Sequence, residues 1–108
     1  MITEEQVIEK LRGVYDPEIP INLYDLGLIY SIGIEENNVI IDMSLTTPHC
    51  GLKDMIISQV VMAVETIEDV MCDVRLTFDP QWTPTMIRQE AIDLLGENHP
   101  IAQMARGM

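Results

Sequence analysis

The chain has 108 residues and carries 6 Lys+Arg against 18 Asp+Glu, a net charge of −12. That length fits one domain able to bury a core without disulfides or a structural metal, and a 47% hydrophobic content excludes a disordered acidic tail. The charge excludes non-specific binding to nucleic acid or to anionic membrane, since both require a basic surface.

Met1–Glu5 has neither a basic n-region nor an apolar h-region, so no signal peptide is expected, and no apolar stretch approaches the ~20 residues of a membrane span. A cytoplasmic protein with reduced thiols follows. Cys50 and Cys72 form no CxxC pair, and with His49 and His99 they lack zinc-finger spacing.

Thr3 with Gln6 three residues on is a capping box, and Val7, Ile8, Leu11 and Val14 recur at helical spacing. A first helix is therefore expected over Thr3–Val14, stopped by Gly13 and Pro17. Residues 15–27 carry loop punctuation: Asp16-Pro17-Glu18, Pro20, Asn22, Asp25 and Gly27. Leu28–Ile34 and Val39–Leu45 alternate, with Glu35-Glu36-Asn37-Asn38 between them, which is an antiparallel hairpin. In the second strand Val39, Ile41, Met43 and Leu45 lie opposite Ile40, Asp42 and Ser44.

A second helix is expected over Leu52–Ile67, burying Leu52, Ile56, Val60, Ala63 and Ile67. Val70–Phe78 reads as a third strand, and Thr83-Pro84 opens a third helix with Ile87, Ala91, Leu94 and Leu95 inward and Gly96 as its cap. The order α-β-β-α-β-α implies an α+β two-layer sandwich with a small mixed sheet, the second and third strands being joined by a right-handed crossover. The domain is placed at residues 1–95, with 96–108 a tail or short helix.

Cys50 is the first chemical candidate. It precedes a helix expected to begin at Gly51, where free N–H groups and the helix dipole favour a thiolate, the form that binds soft metals or attacks electrophiles. A buried structural thiol is the alternative. Cys72 alternates with Val70 and Val74 and reads as core. Asp16 and Glu18 flank Pro17, either as a carboxylate pair facing the Cys50 loop or as turn chemistry with Asp16 bonding nearby N–H groups. Thr46 and Thr47 either aim hydroxyls at the same place or end the strand. Trp82 reads as a plug over the sheet edge more readily than as a binding-surface aromatic. No phosphate loop, GxSxG or HExxH is present.

Three stretches together resemble a known family: Asp16-Pro17-Glu18-Ile19-Pro20 leading to Asp25-Leu26-Gly27-Leu28-Ile29-Tyr30; Leu45-Thr46-Thr47-Pro48-His49-Cys50; and Phe78-Asp79-Pro80-Gln81-Trp82-Thr83-Pro84-Thr85-Met86-Ile87. Their order and spacing are similar to the SufT-like and PaaD-like iron–sulfur cluster assembly domain, over residues 3–95. The resemblance implies a non-catalytic accessory factor in the maturation of iron–sulfur proteins, a carrier or target adaptor. It carries the family's site onto Asp16, Glu18, Thr46, Thr47 and Cys50, with Cys50 the ligand for iron or a transient iron–sulfur cluster. It implies partners in the assembly machinery and client apoproteins. Gly51 departs from the proline that often follows the motif cysteine, and nothing is carried over to His49. Without a nucleotide loop or a cysteine-bearing extension, the free-standing SufT-like form is the better match.

One monomer has too few thiols for four-cysteine ligation, so stable cluster binding implies a homodimer or ligands from a partner. Two rival readings stand beside this one. One is a small thiol enzyme, redox or hydrolytic; the other is an interaction module with an inert Cys50 and an acidic surface suited to basic partners.

Overall fold

The computed structural model describes residues 2–16, 19–46 and 51–96, the Leu95 side chain excepted. Its elements are α1 (Glu4–Leu11), β1 (Ile29–Glu35), β2 (Asn38–Met43), α2 (Lys53–Val64), β3 (Met71–Leu76) and α3 (Gln89–Leu95), with a 3-10 turn at Pro84–Met86. The order is the one expected.

The capping box at Thr3 is formed in full. Gln6 N donates to Thr3 Oγ1 at 3.2 Å, and Thr3 N donates to Gln6 Oε1 at 2.9 Å. Such a cap stabilises a helix by about 1 kcal/mol. Val7, Leu11 and Val14 are buried. The helix nevertheless stops at Leu11, short of Val14. Gly13 and Val14 N–H groups tighten onto the Lys10 and Leu11 carbonyls, and the Val14 carbonyl accepts from Leu23 N at 2.8 Å.

The sheet has the order β1-β2-β3. β1 and β2 form an antiparallel hairpin closed at Glu35↔Asn38, with Glu36 at φ 56° in the turn. β2 and β3 run parallel from Asn38↔Met71 to Met43↔Leu76. Alternation decides the faces: Val39, Ile41, Met43 and Leu45 are buried in the core, with α1 packed on α2 and α2 on β3. On the other face Ser31 Oγ donates to Asp42 Oδ2 at 2.7 Å. This is the two-layer α+β sandwich with a mixed sheet.

The second helix starts later than its sequence suggests. Lys53 is its first residue, and Leu52, which has no side-chain oxygen, stands at the N-cap and makes no capping bond. Ile56, Val60 and Val64 are buried, Ala63 and Ile67 pack partly on the core, and Leu52 is 40% exposed. The expected third helix is split. Pro84 opens only a 3-10 turn, because Ile87 turns extended (φ −65°, ψ 135°) and Arg88 N reaches away to the Asp25 carbonyl at 2.8 Å. α3 restarts at Gln89, burying Ala91 and Ile92 while Leu94, expected inward, is 88% exposed. Gly96 is its cap, at φ 89°.

This topology has one consequence for function. The amino end of β1 and the carboxyl ends of β2 and β3 share one end of the sheet. The segments 14–28, 44–52 and 77–88, which carry the three motif stretches, all leave or enter the sheet there.

Candidate functional site

The segment from Asn22 to Gly27 is a single closed turn. Leu26 N donates to the Asn22 carbonyl and Gly27 N to the Tyr24 carbonyl, both at 3.0 Å. The Asn22 side chain caps it, accepting from Asp25 N at 2.8 Å and donating to Asp25 Oδ2 at 2.9 Å. Short polar side chains make such local bonds readily, which is why Asn and Asp punctuate turns. Gly27 ends the turn at φ 80°, and a Cβ there would run into the backbone carbonyl of Met86.

The 77–88 segment is fastened onto this turn. Trp82 is buried and donates from Nε1 to the Leu26 carbonyl at 2.7 Å. Tyr30 OH donates to the Pro80 carbonyl at 2.8 Å. The Arg88 and Arg12 guanidiniums lie 4.2 and 5.2 Å from the Tyr24 ring centroid, and Arg12 Nε is 3.6 Å from Asp25 Oδ1. Trp82 is thus a buried residue that ties two motif stretches together through the Leu26 carbonyl. Local periodicity carries no sign of the Arg12–Tyr24–Arg88 arrangement, since its members are far apart in the chain. Asn22 and Asp25 were visible as turn residues.

Of the five residues expected at the site, Asp16 and Thr46 are described. Asp16 is 8% exposed, and its Oδ1 accepts from Ile19 N at 3.1 Å. That is the turn chemistry expected for it. Thr46 is half-buried beyond the end of β2. The strands on which their two segments end are stitched by Ser44 N donating to the Leu28 carbonyl at 2.8 Å. Glu18, Thr47 and Cys50 lie outside the described residues, as does His49. Because α2 begins at Lys53, three positions separate Cys50 from the first helical residue, where the sequence suggested one. A helix dipole acts mainly within its first turn, so that argument for a thiolate weakens.

Ser44 is a residue that pattern reading passed over. It lies opposite the core-facing positions of β2, yet it is fully buried. Its Oγ has no hydrogen-bond partner among the described residues.

Cys72 sits half-buried on β3, and its N–H donates to Glu65 Oε2 at 3.0 Å. Burial first, then the Glu65 and Asp73 carboxylates, push its thiol up from 9.0 to about 11. It is a protonated thiol at neutral pH, with little nucleophilic character. Among the described residues, no three His, Cys, Asp or Glu side chains gather as a metal site requires. A cleft of about 150 Å³ between the Asp16 loop and α3, bounded by Tyr15, Ile21, Asn22 and Ala91, is smaller than the roughly 300–1,000 Å³ of small-molecule sites.

Against known proteins, the family model for iron–sulfur cluster assembly proteins matches residues 4–76. A Porphyromonas gingivalis protein named Fe-S protein maturation auxiliary factor is 46% identical over 96 residues, covering 87% of this chain and 91% of its own length. The Staphylococcus aureus Fe-S protein maturation auxiliary factor SufT is 33% identical over 85 residues, covering 77% and 97%. A crystal structure of a domain of unknown function from Bacillus anthracis superposes with a TM-score of 0.80 at 29% identity, covering 86% of this chain and 91% of that one. Both named relatives are called maturation factors, not enzymes.

Proposed function

This chain belongs to the iron–sulfur cluster assembly protein family, and we propose that it serves there as a non-catalytic auxiliary factor in iron–sulfur protein maturation, a carrier or target adaptor working through the Cys50 loop. The observation that carries this reading is topological. The segments that carry the three motif stretches join the sheet at one end, and two of those stretches are fastened together by Trp82, Tyr30 and the Arg88 backbone. Open sheets with parallel strands host their ligands at the carboxyl ends of those strands. The segment 44–52, with Cys50 in it, leaves from such an end.

In this reading the Cys50 thiolate holds or hands over iron, a transient cluster or persulfide sulfur. Asp16, Glu18, Thr46 and Thr47 shape its surroundings. The chain has two cysteines, fewer than four-cysteine ligation needs. A stable cluster therefore draws its remaining ligands from a second copy or from a partner. The partners are the assembly machinery and client apoproteins, and a chain of net charge −12 suits basic clients. Among the described residues no helix is long and apolar enough to cross a membrane.

The test is anaerobic reconstitution with ferrous iron and sulfide, wild type against Cys50→Ala, read by absorbance and native mass. Bound iron and sulfide are expected to disappear in the variant, and the native mass reports whether one copy or two hold them. The reading is overturned if Cys50→Ala matures a client enzyme as well as wild type does. Metal-free turnover of a small substrate, lost in Cys50→Ala, would support the thiol enzyme instead.

A further inference from the structure

β3 is an edge strand, and among the described residues no strand lies beyond it. Its register to β2 runs unbroken from Met71 to Leu76, without proline. Met71 N donates to the Asn37 carbonyl at 3.0 Å and Thr77 N to the Met43 carbonyl at 2.9 Å. Backbone groups of successive strand residues point to alternate sides. Asp73 and Arg75 therefore bond inward to β2, and the N–H and C=O groups of Cys72, Val74 and Leu76 face the open edge. Cys72 N donates to Glu65 Oε2 at 3.0 Å. Among the described residues nothing pairs with the outward groups of Val74 and Leu76. The opposite edge strand, β1, differs: a register shift between Ile29 and Ser31 blunts it.

The side chains of β3 alternate as well. Cys72, Val74 and Leu76 pack against the core, while Asp73 and Arg75 stand on the outer face, 67% and 63% exposed, with Arg75 Nε 3.6 Å from Asp73 Oδ2. The two opposite charges are symmetric about Val74. An antiparallel copy of β3 laid along the edge, with a two-fold axis at Val74, sets Val74 opposite itself and Cys72 opposite Leu76 of the second copy. Those residues have their backbone groups facing outward, so they form the hydrogen-bonded pairs. Asp73 then meets Arg75 of the second copy, twice, in the closer non-hydrogen-bonded pairs. Each charge gains an opposite charge across the edge besides the one in its own strand. We propose that the β3 edge is a self-association surface, on which two copies of this chain join their sheets into one by antiparallel pairing about Val74. A chain of net charge −12 repels its own copies over most of its surface. β3 is a neutral stretch, with Asp73 offset by Arg75, where two copies can meet. Glu65 yields Cys72 N to the Leu76 carbonyl of the second copy. So short an edge is small for an interface, and the dimer is weak and reversible.

The test is sedimentation velocity on the full chain from about 10 μM to about 1 mM, comparing wild type with Asp73→Arg, Arg75→Asp and the double variant. Wild type is expected to shift reversibly from monomer to dimer across that range. Each single variant sets like charges opposite one another in both pairs, and its self-association should weaken about tenfold or more. The double variant should regain it. The two single variants, mixed in equal amounts, should pair with each other, since one carries only positive and the other only negative charge at the two positions. Restoration, more than loss, carries the assignment, because Arg75 also stands opposite Asp42 of β2. Hydrogen exchange on wild type needs no variant: the Val74 and Leu76 amides should exchange several-fold more slowly at the highest concentration than at the lowest. A wild type that stays monomeric throughout overturns the proposal. So does a dimer indifferent to the charge swaps, a mixture that forms no dimer, or exchange at Val74 and Leu76 that does not change with concentration.

Discussion

The two ends of the sheet are built on different principles. At the hairpin end the chain is held by local devices: a two-residue turn between Glu35 and Asn38, and the Thr3–Gln6 box. Its surroundings are exposed and acidic, with Glu35, Glu36, Glu68 and Asp69 facing solvent. At the motif end side-chain bonds between residues fifty or more positions apart, Tyr30 to Pro80 and Trp82 to Leu26, are added to local turns such as Asn22–Asp25. The hairpin end holds the cysteine that the structure describes. Cys72 lies near the start of β3, where burial first, and then the Glu65 and Asp73 carboxylates, raise its pKa. Cys50 belongs to the segment that leaves the motif end.

The sharpest way to break this contrast is to add one methyl group at each end. Gly27→Ala must accept φ 80° and push against the Met86 carbonyl, which is backbone and cannot swing aside. We expect a loss of about 3 kcal/mol or more in chemical denaturation. Gly33→Ala, on β1 nearer the hairpin, meets only ordinary contacts with Ile40 and should change stability by less than about 1 kcal/mol, in the stabilising direction. Equal effects at the two sites would refute the difference between the ends. Next in size is Trp82→Phe, which keeps the ring but leaves the buried Leu26 carbonyl unpaired. A loss of about 2 kcal/mol is expected, read as a lower denaturant midpoint at unchanged slope.

These sites also mark how far the sequence could be read. The strands, their faces and the capping box were legible, because alternation and caps are properties of neighbouring residues. The element order and the crossover followed from them. What stayed hidden depends on distant residues. The Thr83-Pro84 signal is real, but the Arg88–Asp25 bond pulls the chain extended before a helix can continue. Tyr24 between Arg12 and Arg88 leaves no periodic trace, and neither does the burial of Ser44 in a strand position opposite the core face. For the site, Asp16 was legible as a turn residue, and the accepted bond from Ile19 bears that out. The grouping of Asp16 with Thr46 and Cys50 came from the family resemblance, not from spacing.

The smallest expected effect concerns Cys72. Burial and two carboxylates hold its thiol at about 11, against 9.0 for an unperturbed group, so the folded chain keeps this proton more tightly than the unfolded one. Below pH 9 both states are protonated and the resulting stabilisation is fully present. As pH rises from 9 to about 11 the unfolded state ionises first, binds fewer protons, and stability falls. The half-buried setting screens the carboxylates and keeps the fall small. Denaturation at pH 8 and pH 11 should show it in wild type and show less of it in Cys72→Ala. Alkylation followed peptide by peptide gives a second measure: Cys72 should react slowly at pH 7.5 and about tenfold faster per pH unit above it. If Cys72 alkylates at neutral pH as fast as an exposed model thiol, burial and the two carboxylates do not raise its pKa in the folded chain.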